Sequence, residues 1–191
     1  MDLRHGGRLG GLWIDGDSVV SERAGGVLSW GSGVQAPWAG AINQGRFVAG
    51  GRQVNLDRSY RGHAVAGTVL QRRCEPVDDF TVRSDFGHRW PWSGHVIQRY
   101  VLEADRLTHS IELHADEAMP VTFGWRCWFQ RHLGDSGPIR AFADAGRTSP
   151  QSDDGLVSAD AREAFTESPK QFYEGVTSPT VLRWENALEL W

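Results

Sequence analysis

Val96-Ile97-Gln98-Arg99-Tyr100-Val101-Leu102, then Glu103-Ala104-Asp105-Arg106, then Leu107-Thr108-His109-Ser110-Ile111-Glu112-Leu113-His114: the reading of this stretch decides the fold class. From 107 to 114 the side chains alternate without a break. Leu107, His109, Ile111 and Leu113 take one side; Thr108, Ser110, Glu112 and His114 take the other. A period of two sends successive side chains to opposite faces of a strand, whereas an amphipathic helix needs a period near 3.6. The charged segment between the two runs reads as a hairpin turn.

The same texture extends outward. Strand patterns occur at 9–15, 46–54 and 121–125, and a last pair at 180–184 and 187–191. Gly50-Gly51 falls inside one of these runs and reads as a bulge or bend. Gly31-Ser32-Gly33 opens no helical pattern and reads as a turn rather than a phosphate cradle. Residues 134–170 are rich in Gly, Ser, Asp, Pro and Ala and read as a long loop within a single domain covering 1–191, with two helical turns at 159–166. Many short strands with turn residues between them predict an all-β, antiparallel β-sandwich. The strand pattern starts within the first residues and Trp191 falls inside an apolar pattern. A sandwich incomplete at both termini is therefore expected, with unpaired sheet edges open to self-association.

Composition narrows the function classes. The 191 residues are 40% hydrophobic and 23% charged, with a formal net charge of -4. That charge offers nothing to nucleic acid or to an anionic membrane. No apolar run approaches the roughly 20 residues of a membrane helix. Met1-Asp2-Leu3-Arg4-His5-Gly6-Gly7 lacks the apolar region of a secretion signal, so a cytoplasmic location is expected. Cys74 and Cys127 form no framework and read as free thiols. The seven histidines show no ligand spacing: His109 and His114 point to opposite faces of a strand, and His88 and His95 only bracket Trp90-Pro91-Trp92. Neither a metal nor a cofactor is expected. No G-x-S-x-G elbow and no C-x-x-C is present.

Several short segments occur in a specific order: 6–12 (G-G-R-L-G-G-L), 37–47 (P-W-A-G-A-I-N-Q-G-R-F), 63–69 (H-A-V-A-G-T-V), Trp90-Pro91-Trp92, 98–102 (Q-R-Y-V-L) and 124–131 (G-W-R-C-W-F-Q-R). With the echoes V-L-R-W at 181–184 and A-L-E-L at 187–190, this series resembles the bacterial branch of the aldose 1-epimerase (galactose mutarotase) family. The resemblance implies a supersandwich of antiparallel strands with a sugar-binding cleft, and interconversion of the α and β anomers of free hexoses. That reaction opens the pyranose ring and recloses it on the other face of C1. One group must take the proton of the C1 hydroxyl while another protonates the ring oxygen, and the roles then reverse.

The residues that the resemblance assigns to this work are replaced. The sugar-orienting arginine of P-W-A-G-R is Ala41. The second histidine of H-A-[IV]-H-G is Ala66, and the first survives as His63. The acid histidine of G-[FW]-H-P-W-F is Arg126, followed by Cys127 in place of proline. Tyr173 is aligned with the family's D-D-x-F aspartate, Arg72 with a cleft arginine, and the family's C-terminal E-P-x-[TS] glutamate segment has no counterpart in these residues. Alanine carries no exchangeable proton, and a guanidinium remains charged at any physiological pH. Loss of acid–base assistance costs a factor of about 10² to 10⁴.

The residues thus describe an aldose 1-epimerase-like isomerase with impaired or lost turnover. Two alternatives stay beside it: a non-catalytic carbohydrate-binding or regulatory module, and a truncated fragment. His63 is a candidate replacement acid, although its offset of three from position 66 sends the two side chains to opposite faces of an extended segment. Trp38 and Trp128 are candidate walls for a sugar's apolar face, and Arg72 and Tyr173 candidate contacts. Arg126 shares a face with Thr122, Gly124 and Trp128. It would either clamp an anionic sugar group bidentately or fill a defunct pocket with a salt bridge. The expected partner is a monosaccharide or sugar phosphate.

Overall fold

A computed structural model describes residues 1–22, 26, 28–150, 156 and 171–191, with 145–150 and 171–175 at the level of their strands only. The expected helical turns at 159–166 lie outside the described residues. The described elements are strands and two short 3-10 turns, and every strand pair is antiparallel. The fold is all-β, antiparallel and sandwich-like. Among the described residues no helix is long and apolar enough to cross a membrane. The chain divides into two compact units, Met1–Leu12 with Val20–Phe129, and Trp13–Val19 with Gln130–Trp191.

The first unit is organised by the hairpin that the alternation predicts. Gly94–Leu102 pairs with Leu107–Ala115 along its whole length, from Gly94 opposite Ala115 to Leu102 opposite Leu107. Glu103 N–H donates to Arg106 C=O at 2.8 Å and closes the turn. Thr81–Asp85 adds to the other side of Gly94–Leu102, and Glu75–Pro76 completes a four-stranded sheet. Sequence periodicity passes over Thr81–Asp85 because buried residues fall on both of its faces and two of them, Thr81 and Ser84, are polar. On the neighbouring strand, Gln98, opposite Val82, is fully buried and its Nε2 donates to Gly6 C=O at 2.8 Å, while the Tyr100 hydroxyl donates to Gly7 C=O at 3.2 Å. The Gly6-Gly7 turn and the Q-R-Y segment are thereby tied together.

Other elements differ from the sequence expectation for local reasons. The run 46–54 is two strands, Arg46–Ala49 and Arg52–Asn55. Gly50 and Gly51 have φ of 54° and 74°, the double left-handed geometry of a two-residue hairpin turn, so they reverse the chain rather than bulge it. Ser32 and Gly33 belong to a fully buried strand, Ser32–Gln35, which pairs with Gly124–Cys127. A buried strand of small residues shows no alternation. The run 9–15 is split: Leu9 makes a single bridge to Ser32, and only Trp13–Ile14 is a strand, paired with Asp17–Ser18. The strand expected at 121–125 begins at Gly124 and continues to Cys127.

The core of the first unit is aromatic. Trp38 stacks on Trp90 with ring centroids 5.3 Å apart, Trp90 meets Trp92 at 5.1 Å, and Phe47 stacks on both. Val34, Ala36, Val69, Phe86 and Val96 close around them. In the second unit, Arg140–Phe142, Val181–Trp184 and Leu188–Leu190 form a three-stranded sheet, and Ala145–Pro150 pairs with Gln171–Val176. The span 134–170, read as loop, therefore contains Arg140–Phe142 and Ala145–Pro150. Each finds its partner tens of residues later, and that pairing leaves no local periodicity.

Candidate functional site

Three of the ordered segments meet in the first unit. The strand Ala41–Ile42 pairs with Ala64–Val65, placing Ala41 opposite Val65. Ala66 N–H donates to Gly40 C=O at 2.9 Å, and Thr68 and Val69 N–H both donate to Ala36 C=O, at 2.9 and 3.1 Å. Gly67 makes this approach possible: its φ is 70°, and a Cβ there would overlap the Ala36 carbonyl. From the other side, Ala39 N–H donates to Thr122 Oγ1 at 3.1 Å and Thr122 N–H donates to Pro37 C=O at 3.0 Å. The loop that follows the cis Ala36-Pro37 bond is held further by Gln35, whose Oε1 accepts Gly40 N–H at 2.9 Å.

The strand Gly124–Cys127 leads from this junction to Arg126 and Trp128. Arg126 lies opposite Gly33 on the neighbouring strand, and its guanidinium sits 4.8 Å above the Trp128 ring. Trp128 is 36% exposed and Arg126 reaches the surface. Partial burial lowers the pKa of Arg126, while the Tyr60 phenol acts in the opposite sense. Among the described residues Arg126 makes no ion pair. In place of the pocket-filling salt bridge, one of the two alternatives, Arg126 makes a cation–π contact. The result is a shelf: a guanidinium over a partly exposed indole, with the Tyr60 phenol acting electrostatically on the guanidinium.

The other predicted residues fall as follows. Ala66 is fully buried with φ of 65°, so its position is packed rather than an open vacancy. His63 is 7% exposed, and its Nδ1 accepts Gln44 N–H at 3.0 Å. Its backbone closes a tight turn with Tyr60 through bonds of 2.9 and 3.1 Å. The ring thus fastens the left-handed turn at Gln44, a structural duty that keeps Nδ1 occupied. Trp38 is a core residue, not a wall: its ring packs on Trp90 and its Nε1 donates to Ala64 C=O at 3.4 Å. Arg72 is half-buried and its guanidinium lies where a Cβ on Gly87 would sit. Tyr173 belongs to Gln171–Val176, opposite Thr148 in the second unit, and its side chain lies outside the described residues.

Sequence reasoning missed Gln35 and Tyr60 as parts of this site, and placed Thr122 only on the face of Arg126. Tyr60-Arg61-Gly62-His63 carried a usable signal, since a Gly-containing pair between two facing residues marks a two-residue hairpin turn. Gln35 carried none, and the contact of Thr122 with Ala39 spans 83 residues and leaves no local pattern. Elsewhere, His95 and His114 face each other across the central hairpin with rings stacked at 4.7 Å. Among the described residues no three His, Cys, Asp or Glu side chains gather to hold a metal. Both cysteines are free, and burial raises the Cys127 thiol to about 12.

No family model matches the chain, and no curated protein matches it. Among solved structures the fold is similar to that of the Slr1438 protein from Synechocystis sp. PCC 6803, with a TM-score of 0.68 at 14% sequence identity. The likeness covers 94% of this chain and 66% of that one, so this chain spans just under two thirds of the neighbour's length. At that identity the similarity concerns the fold alone.

Proposed function

We propose that this chain is an aldose 1-epimerase-like protein that binds a monosaccharide at the Arg126–Trp128 shelf without interconverting its anomers. The observation that carries this reading is what the three converging segments provide. They contribute no carboxylate, and their one histidine, His63, is buried and committed to the Gln44 amide. An indole suits the apolar face of a sugar ring, and a guanidinium and hydroxyl suit its oxygens. None of these exchanges a proton readily near neutral pH, which ring opening and closure require. Ala41 and Ala66 add no polar atom beyond the backbone, and Ala66 is too enclosed to admit a ligand group.

Polarimetry of freshly dissolved α-glucose and α-galactose tests the chemical half. The expected optical relaxation with protein equals that of the buffer control, and a protein-dependent acceleration would refute the loss of turnover. Calorimetric titration with monosaccharides tests the binding half. Heat that disappears in Trp128→Ala is expected, and absence of heat with every sugar tried would remove the reading.

A further inference from the structure

We propose that His95 and His114 chelate a divalent late transition metal ion, copper, nickel or zinc, on the outer face of the four-stranded sheet. The proposal is independent of the sugar reading. Register, not spacing along the chain, brings the two residues together: His95 lies directly opposite His114 in the central hairpin. Directly opposed residues of an antiparallel pair project from the same face. Val96, Gln98 and Tyr100 are buried, so the alternate positions of that strand, His95 among them, point away from the core. His95 is partly exposed and His114 exposed. Their rings lie 8° from parallel with centroids 4.7 Å apart. Imidazole is the commonest protein ligand of these ions, and here two are presented side by side to solvent.

The backbone beneath the pair is fixed. Asp116 N–H donates to Ser93 C=O at 3.1 Å at the open end of the hairpin, and Phe86 N–H donates to Gly94 C=O at 3.0 Å. A Cβ on Gly94 would overlap the His114 carbonyl and the Phe86 ring, so the strands approach closely beside the two histidines. Carboxylates flank the pair. Glu112 Oε2 lies 3.5 Å from His114 Nε2, and Asp85 sits opposite His95 on the third strand. Both Arg83 bonds reach Asp85 Oδ1, at 3.3 and 3.1 Å, and Oδ2 takes no part in them. A carboxylate beside a ligating imidazole orients the ring and raises its basicity. Among the described residues no three such side chains gather at one point, so the ion is held by two imidazole nitrogens and water. A nitrogen–metal distance of about 2.0–2.1 Å places the two nitrogens within about 4.2 Å of each other. Rings stacked at 4.7 Å reach that spacing through small rotations about χ2, which is a soft torsion in histidine.

The test is titration of the chelator-stripped intact chain with Cu²⁺, Ni²⁺, Zn²⁺ and Mg²⁺, followed by calorimetry and by electron paramagnetic resonance of the Cu²⁺ complex. The three transition metals are expected to bind, Cu²⁺ most tightly, and Mg²⁺ is not. His95→Ala and His114→Ala should each weaken Cu²⁺ binding at least about tenfold, since losing an outer-shell partner alone costs that much. His88→Ala, which removes an exposed histidine elsewhere in the first unit, should bind as the parent does. The resonance spectrum should show coupling to two nitrogens in the parent and to one in each single variant of the pair. Thermal unfolding without metal establishes that each variant is folded, and the nitrogen count in the parent decides if one is not. Fewer than two coupled nitrogens in the parent overturns the proposal. So does undiminished affinity in a folded His95→Ala/His114→Ala double variant, an equal loss in His88→Ala, or no binding of any of the three transition metals.

Discussion

Trp38 and Trp128 show how the same side chain acquires opposite roles from its surroundings. Both sit in motif segments and both are flat apolar surfaces, so sequence reasoning treats them alike. Trp38 is 7% exposed and sandwiched in the Trp90–Trp92–Phe47 cluster; Trp128 is half-open beneath a guanidinium. Truncating them should separate the roles. Trp38→Ala is expected to lower stability by about 3–5 kcal/mol through the cavity it leaves. Trp128→Ala should cost roughly 1 kcal/mol, since much of its surface already meets water, and should instead weaken ligand binding. Urea denaturation beside calorimetry distinguishes the two, and a Trp38→Ala protein as stable as the parent would contradict the core assignment. His63 teaches a related lesson. Its place in the H-A-V-A-G segment marks it as a candidate acid, yet its Nδ1 is spent on a backbone amide 19 residues away.

The elements were legible wherever the signal is local. The 94–102/107–115 hairpin and the closing strands Val181–Trp184 and Leu188–Leu190 follow from alternation and from a charged turn. Ser32–Gln35 and Thr81–Asp85 escaped because one is wholly buried and small and the other buries polar residues on both of its faces. Glycines divide in the same manner. Gly50 and Gly67 have similar left-handed φ, 54° and 70°, but only Gly67 lies against another backbone. Gly50→Ala should therefore cost about 1 kcal/mol, the penalty of the left-handed region alone. Gly67→Ala adds a clash with Ala36 and should cost at least about 3 kcal/mol. Because Gly67 holds the junction of segments 37–47 and 63–69, its variant should also lose the proposed ligand binding before it unfolds. Thermal melts of the two variants side by side provide the comparison, and equal losses would show that the junction is looser than described.

Stability of the first unit should depend on pH through His109. Its ring stacks on Tyr100 at 4.2 Å and meets Trp125 edge-on at 6.4 Å, and burial holds its pKa down to about 4. An unfolded histidine protonates near 6.5. On acidification the unfolded chain takes up this proton first, so the contribution is complete above about pH 6.5 and declines until about pH 4. The gap between the two values corresponds to roughly 3 kcal/mol. The urea midpoint should fall across that window in the parent and less steeply in His109→Gln. Identical slopes would show that His109 is solvated in the folded state.

Alternation and turn residues were enough to read an antiparallel all-β chain, because those signals depend on near neighbours. Packing alone decided which tryptophan is core and which is surface, that Gly50-Gly51 reverses a strand, that Ala66 is sealed and that Arg126 lies on an indole without a carboxylate. Those outcomes depend on contacts between residues far apart in the chain, such as Ala39 with Thr122 and Gly67 with Ala36. A local pattern specifies the two faces of a strand but not which of them meets water.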